Sequence, residues 1–442
     1  MRSSITYLNT QRLLPLLLFC APLVAPAQRP QPILTTLLSP MPVIAAPAAS
    51  GHPAAASPPS PAAAHPPPPG APVILRILND SGLHNYANIV LDWELRANGL
   101  VRQKGSLSNL PIPPKHPATV RLPVRISSAQ PPSNAGASAT DQELVLGLHY
   151  HYRNKPVLAE EQFLLKPWSG SQGSVHPTGE LSFTDENGIF TIQSPGVLIS
   201  FDKQTGWLQQ YTIKDNPLLG DTPGCKTLFW LEPADPGYSA ASAAGSGTWK
   251  EASQAPHLQL FSTSTGSQLV IVRAEYTLPE TACLLHLSYT INATGEMEVE
   301  QSMEADSSRQ GEPLPFFGMY WVLPPGFDTV TAYGSLPVSP QADLSVSSHP
   351  PIPQIYHSPV APPRETNRYT GIRWWAITRP DGKGLRLTAD STLLTISTAS
   401  TGARLRLDIG IPGPPDHRPY GNYKYAFKVT PLPPEEKPGA HK

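Results

Sequence analysis

Charge is scarce in this chain: charged side chains are 15% of 442 residues, and 32 Lys and Arg against 33 Asp and Glu leave a formal net charge of -1. No whole-chain field can gather nucleic acid or an anionic membrane, so partners are expected to be neutral or locally selected. Cysteine is almost missing. Of three, Cys20 lies in an N-terminal apolar run, which leaves Cys225 and Cys283, a pair that either bridges or lies buried as two small apolar thiols, too few for a disulfide framework. After that first run, nothing reaches the roughly 18 consecutive apolar residues of a membrane-spanning helix. The Gly-x-Ser-x-Gly elbow, the phosphate loop and the Cys-x-x-Cys knuckle are also lacking, which removes three common routes to hydrolase, nucleotide and zinc chemistry.

What is abundant is proline, 55 residues, with 32 glycines. Proline interrupts helices, so short strands and turns are expected, and the chain reads as all-β. Arg2 and Arg12 precede the apolar stretch Leu13 to Val24, and Ala25-Pro26-Ala27 supplies small residues before Gln28. That is the pattern of a signal peptide over residues 1–27, and export to the periplasm, cell envelope or outside is the expectation. Residues 28–72 hold fourteen prolines among alanine and serine, the composition of an extended, unpacked linker.

Order is expected from Val73. Ile89, Leu91, Trp93 and Leu95 alternate with Val90, Asp92 and Glu94, the period of a strand with one buried face. Comparable runs to residue 168 predict an immunoglobulin-like β-sandwich over 73–168. Ser169 to Ser174 reads as a boundary. A second, larger β block is expected over 181–432, with hairpins at Val197–Ile213, Leu284–Met303 and Ile372–Ala389 and a last strand through Tyr423, Tyr425, Phe427 and Val429. Two facing sheets follow from its size.

Candidate chemistry is sparse. His149 and His151 leave one strand face and either share a metal or form a half-exposed aromatic face; no acidic or cysteine ligand stands at a recognised spacing, which favours the second reading. Glu296, Glu298 and Glu300 form one row, most simply water-facing. No opposed carboxylate pair is assigned, so no catalytic residue, cofactor or metal is expected. The remaining lead is aromatic. In Arg364-Glu365-Thr366-Asn367-Arg368-Tyr369-Thr370-Gly371-Ile372-Arg373-Trp374-Trp375, alternation places Ile372, Trp374 and Ala376 on one face and Arg373, Trp375 and Ile377 on the other. One ring is expected inside and its neighbour outside, where a flat face can stack on a sugar.

Asp185-Glu186-Asn187-Gly188, Phe201 to Gly206, Leu228 to Pro233, Leu323 to Asp328, Tyr333-Gly334 and Arg364 to Trp374 follow one another as in the C-terminal domain, or small chain, of family-two β-galactosidases. Trp93-Glu94-Leu95, Gly105-Ser106-Leu107, Arg121-Leu122-Pro123 and Glu161-Gln162-Phe163 resemble the preceding immunoglobulin-like domain of that family. The resemblance implies a sandwich followed by a β-supersandwich of the galactose-mutarotase type. It implies that both catalytic glutamates and the metal ligands sit on a (β/α)₈ barrel, which the roughly 70 residues before Val73 cannot hold. It also implies a sugar-contacting loop, which falls here on Pro412 to His417, where His417 replaces the family's stacking tryptophan and Pro414 and Pro415 its paired acids; Asp416 and His417 are the candidate contacts there. Tyr333 and Trp375 complete the candidate carbohydrate contacts; Trp374 matches a core ring. The expected function is a carbohydrate-binding module that joins β-galactoside hydrolysis only beside a separate catalytic chain and is inactive alone. The alternative is a structural or protein-interaction module of the cell envelope.

Overall fold

The computed structural model describes residues 33–37, 73–80, 85–124, 143–152, 157–168, 175–220, 224–230, 246–279, 281, 283–304, 314–335, 353–360, 366–389, 394–401, 404–412 and 422–433. The expected signal peptide, the boundary over 169–174 and the loop over 413–417 lie outside these residues. The all-β expectation holds: strands dominate, and the one α-helix among the described residues is Ser246–Gln254.

The first unit packs two sheets. One contains β1 (Ile33–Leu37), β2 (Val73–Asn79) and β5 (Pro117–Leu122), in the order β1-β2-β5. The other contains β3 (Ile89–Ala97), β4 (Leu100–Ser108), β6 (Leu144–Tyr152) and β7 (Val157–Lys166), in the order β4-β3-β6-β7. Leu75 and Ile77 from the first sheet meet Leu91, Trp93, Leu148 and Tyr150 from the second in one apolar core. A buried tryptophan on the third strand and this division of strands are those of an immunoglobulin-like sandwich. Burying each of these side chains contributes about 1.5–3 kcal/mol.

β1 corrects the linker expectation. Five residues inside the proline-rich stretch pair antiparallel with β2, Ile33 opposite Asn79 and Leu37 opposite Leu75. The buried Thr35 hydroxyl sits 2.6 Å from the Tyr150 hydroxyl, and its amide donates to Glu161 Oε1 at 3.1 Å. Ile33-Leu34-Thr35-Thr36-Leu37 is a proline-free island of β-branched and apolar residues, so a strand forms where the surrounding composition forbids one.

The large block begins with a five-stranded meander of β8 (Ser182–Glu186), β9 (Ile189–Ser194), β10 (Val197–Asp202), β11 (Leu208–Ile213) and β12 (Asn216–Pro217). It packs on a sheet of thirteen strands. In sequence these are β13 (Cys225–Leu228), β14 (His257–Thr265), β15 (Leu269–Leu278), β16 (Cys283–Asn292), β17 (Met297–Glu304), β18 (Phe316–Leu323) and β19 (Thr329–Ser335). Then come β20 (Gln354–Pro359), β21 (Thr366–Thr378), β22 (Gly384–Ala389), β23 (Thr395–Thr401), β24 (Arg404–Pro412) and β25 (Asn422–Leu432). The path runs β13-β18-β24-β23-β21-β22-β25-β17-β16-β15-β14, with β19 and β20 attached at β21. Its inner face carries the core, in which Val272, Tyr289, Val299, Trp321, Leu387 and Phe427 are all at most 1% exposed. Cys225 and Cys283 are buried, unbridged thiols in this core. Burial pushes the Cys225 thiol up to about 12, so it behaves as an apolar filler.

β21 does not keep a clean two-residue period. Between the pairs Tyr333–Trp374 and Ser335–Thr370, β21 advances four residues while β19 advances two. Gly371 sits in the bulge at φ +59, a backbone conformation that side-chain-bearing residues rarely adopt.

Ile33 is a test of the added strand. Ile33→Ala should lower unfolding stability by about 2–4 kcal/mol in a denaturant titration. An unchanged midpoint would show that residues 33–37 do not pack.

Candidate functional site

The two units meet on the outer face of the large sheet, around one acidic side chain. Glu143 stands just before β6, and its backbone is held by the β3–β4 turn: Glu143 N donates to Asn98 Oδ1 at 2.8 Å, and Asn98 N donates to the Glu143 carbonyl at 3.0 Å. Its carboxylate is fully buried and accepts from Arg373 Nε at 3.0 Å and Arg373 Nη2 at 2.5 Å. The Tyr333 hydroxyl donates to the same carboxylate. Arg373 Nη1 donates to the Gly371 carbonyl at 2.7 Å, so the bulge both turns Arg373 outward and aims it. Trp168, at the end of the sandwich, stands edge-on to Tyr333 at 6.3 Å and donates from Nε1 to the Ala389 carbonyl at 3.3 Å. A Cβ at Gly99 would come 2.7 Å from the Tyr333 ring, so the β3–β4 turn seats on that ring only because the residue is glycine. Burial and the adjacent Glu143 carboxylate push the Tyr333 hydroxyl far above its ordinary pKa; it stays a neutral donor.

This geometry corrects two expected sugar contacts. Tyr333 is fully buried in the junction, and Trp375 is fully buried in the core, edge-on to Tyr369 at 6.4 Å. The faces assigned to the two tryptophans are reversed: Trp375 is the inside ring, and the half-buried Trp374 belongs to the outer face. The bulge is the cause. It lets Ile372 into the core out of phase with Trp375 and Ile377, so an uninterrupted alternation counted from Ile372 selects the wrong ring. Asp416 and His417 lie outside the described residues, beyond Pro412 at the end of β24.

The open part of the outer face lies over β15, β16 and β17, where a hollow of about 300 Å³ is lined by Arg273, Glu275, His286, Ser288, Thr290, Glu298 and Glu300. Register creates it. Arg273, Ser288 and Glu300 form one row, Glu275 and His286 another, Thr290 and Glu298 a third, and the short Ser288 forms the floor. His286 Nδ1 lies 3.8 Å from Glu275 Oε1, and Lys424 Nζ lies 2.8 Å from Glu300 Oε2. The charges are locally balanced, and all three carboxylates rise from a single sheet. Such a surface offers donors and acceptors to a hydroxyl-rich ligand. Among the described residues, no three His, Cys, Asp or Glu side chains are grouped to hold a metal ion.

His149 and His151 share the solvent face of the sandwich, as their spacing requires. The fold adds acids that spacing did not reveal: His151 Nε2 is 2.9 Å from Asp92 Oδ2, and His149 Nδ1 is 3.2 Å from Glu160 Oε1. The Tyr152 carbonyl, 3.0 Å from Nδ1, and then Asp92 raise the His151 pKa above its usual value.

Residues 193–406 match the family model described as Beta galactosidase small chain. This region is similar to the β-galactosidase small chain. A β-galactosidase from Priestia megaterium (strain DSM 319 / IMG 1521) is 27% identical over 232 residues, which is 51% of this chain and 22% of that protein. The chain therefore matches only about a fifth of its relative's length. Among solved structures, galactose 1-epimerase from Lactobacillus acidophilus NCFM aligns at TM-score 0.34 and 11% identity, covering 57% of this chain and 99% of that one. The GH36 α-galactosidase AgaA from Geobacillus stearothermophilus aligns at TM-score 0.32 and 9% identity over 58% of this chain and 41% of its own. Likenesses this distant add nothing to the description of the small-chain-like domain.

Breaking the ion pair that seats the small-chain-like domain against the sandwich should be costly. Glu143→Gln, which strands Arg373, should lose about 3–5 kcal/mol in denaturant unfolding, and the double variant Glu143→Leu/Arg373→Met should recover most of it. At His151, a pKa raised on folding adds stability that is complete below the unfolded value of 6.5 and is lost as pH rises through the folded value. Asp92→Asn should lower the His151 pKa in an NMR titration and flatten stability across that window.

Proposed function

We propose that this protein is the carbohydrate-contacting, non-barrel part of a β-galactoside-hydrolysing assembly, acting beside a separate catalytic barrel chain. The observation that carries the reading is the small-chain match over residues 193–406. The hollow over β15–β17 supports it. Arg273 donates, Ser288 and Thr290 donate and accept, and Glu275 and Glu298 accept, the set a galactose-containing glycan needs. Asp416 and His417, which follow β24 in the sequence, are the second proposed contact. Residues 1–27 direct export, which places the assembly in the periplasm, envelope or outside.

Hydrolysis needs an acid and a base or nucleophile facing each other across the glycosidic bond. The carboxylates of the hollow stand side by side on one sheet and are met by His286 and Lys424. The reading therefore gives this chain binding and positioning, and gives bond cleavage to the barrel. A second reading, an envelope interaction module without sugar affinity, draws on one observation: Tyr333 and Trp375, two of the four expected sugar contacts, are buried in packing.

Calorimetric titration of the full chain with a galactose-containing oligosaccharide separates the two. Saturable binding weakened at least about tenfold by Arg273→Ala or Glu298→Gln is the expected result, a loss of about 1.4 kcal/mol or more. Binding should be accompanied by no turnover of a chromogenic β-galactoside until a barrel chain is added. Absence of binding favours the interaction module, and turnover by the purified chain alone defeats both readings.

A further inference from the structure

Arg386 and Arg379 each have a sealed Nε without a hydrogen-bond partner, but Arg379 also donates from Nη2 to the Pro217 carbonyl at 3.1 Å, and Arg386 has no such bond among the described residues. Arg96, Arg373 and Arg406 each hold a carboxylate, at 2.7, 2.5 and 2.6 Å. Arg386, on β22, is half-buried, and its Nε is sealed from solvent without a hydrogen-bond partner. Among the described residues its partner is the ring of Trp374, whose centroid lies 4.4 Å from the guanidinium carbon. Burial draws its pKa below the ordinary guanidinium value. A partly desolvated cation without an anion is costly, and its sealed Nε calls for an acceptor that the described residues do not provide.

Its neighbours explain why no described side chain fills that role. Register places Ala376 and Thr430 on either side of Arg386, and Thr388 beside Trp374. The nearest acid along that row is Glu296, opposite the end of β25, and it is already engaged by Asn292 at 3.1 Å, by Thr430 at 3.4 Å and by Lys428 at 3.8 Å. What remains around Arg386 is a planar donor fork, the face of an indole and two threonine hydroxyls, with the small, buried Ala376 beside them. A guanidinium fork stacked on an indole suits a planar carboxylate, and the hydroxyls and ring suit the sugar that carries it.

We propose that Arg386, Trp374, Thr388 and Thr430 form a site for the carboxylate of an acidic sugar, a uronic-acid unit of a glycan. This rests on the carbohydrate reading above and narrows it. Trp374, Thr388, Lys428, Glu298 and Thr290 form one row across β21, β22, β25, β17 and β16, so the Arg386 site and the hollow lie on one continuous strip. The strip from Trp374 to Glu298 crosses three strand spacings, roughly 14 Å. A single glycan lying across the strands reaches both, with its neutral units over the hollow and its acidic unit at Arg386.

The test is titration of the full chain with D-galacturonate, D-galactose and acetate, each followed by calorimetry and by thermal unfolding. Galacturonate should bind at least about tenfold more tightly than either of the others and should raise the unfolding temperature. Arg386→Met should fold and be no less stable than the parent, because it removes an unpaired buried charge and keeps the stem that covers Trp374. In that variant galacturonate affinity should fall at least about tenfold, while the affinity of a neutral galactose-containing oligosaccharide for the hollow stays unchanged. Equal binding of galacturonate and galactose, or of galacturonate and acetate, overturns the proposal, as does full retention of galacturonate binding in Arg386→Met. If neutral glycans bind and galacturonate does not, this inference alone fails. If galacturonate binds through Arg386 and neutral glycans do not, the assignment of the hollow fails instead.

Discussion

The buried pair of Glu143 and Arg373 is the constraint on which the arrangement depends. A carboxylate and a guanidinium removed from water are tolerable only together, and only when their remaining hydrogen-bonding positions are filled. Tyr333 and the Gly371 carbonyl fill them. The partners are 230 residues apart, one from each unit. Neither unit can therefore leave the other without exposing or stranding a charge, and the sandwich is held on the outer face of the large sheet at one end.

Docking there divides that face. Near β19 and β21 it becomes an interior, sealed by Trp168, Tyr333 and the β3–β4 turn. Toward β14–β17 it stays open and polar, because the sandwich is too small to cover thirteen strands. The inner face has no such freedom, since it carries the apolar core shared with the five-stranded meander. The open part of that one sheet face is therefore where the proposed carbohydrate contacts lie.

The bulge at Gly371 links these features. Two extra residues against β19 turn Arg373 to the junction and admit Ile372 to the core. Trp375 stays inside, and Trp374 stays outside beside Arg386. A position that looks like a strand entry in sequence is therefore also where the interdomain ion pair and the outer strip are set. Within the small-chain region, the scaffold is kept while two of the aromatic positions expected to face sugar are spent on packing.

Much of the architecture was legible without coordinates. Alternation at Ile89–Leu95, Leu284–Met303 and Tyr423–Val429 is a local consequence of a two-residue repeat with one wet face, and those strands appear where the pattern places them. Ordered motifs from Asp185 to Trp374 pointed to the small-chain region for the same reason: turns and strand entries are encoded within a few residues. β4 was not anticipated, because Leu100-Val101-Arg102-Gln103-Lys104-Gly105 is an exposed edge without a strong apolar stripe, and β1 was hidden in a proline-rich composition. What the amino-acid order determined by itself was the all-β class and the inward side of most strands, since each depends on short-range periodicity. Which charges meet, which tryptophan is inside and where the polar hollow opens were decided only by tertiary structure. Those outcomes depend on register across strands and on contacts between residues hundreds of positions apart, and no local pattern carries that information.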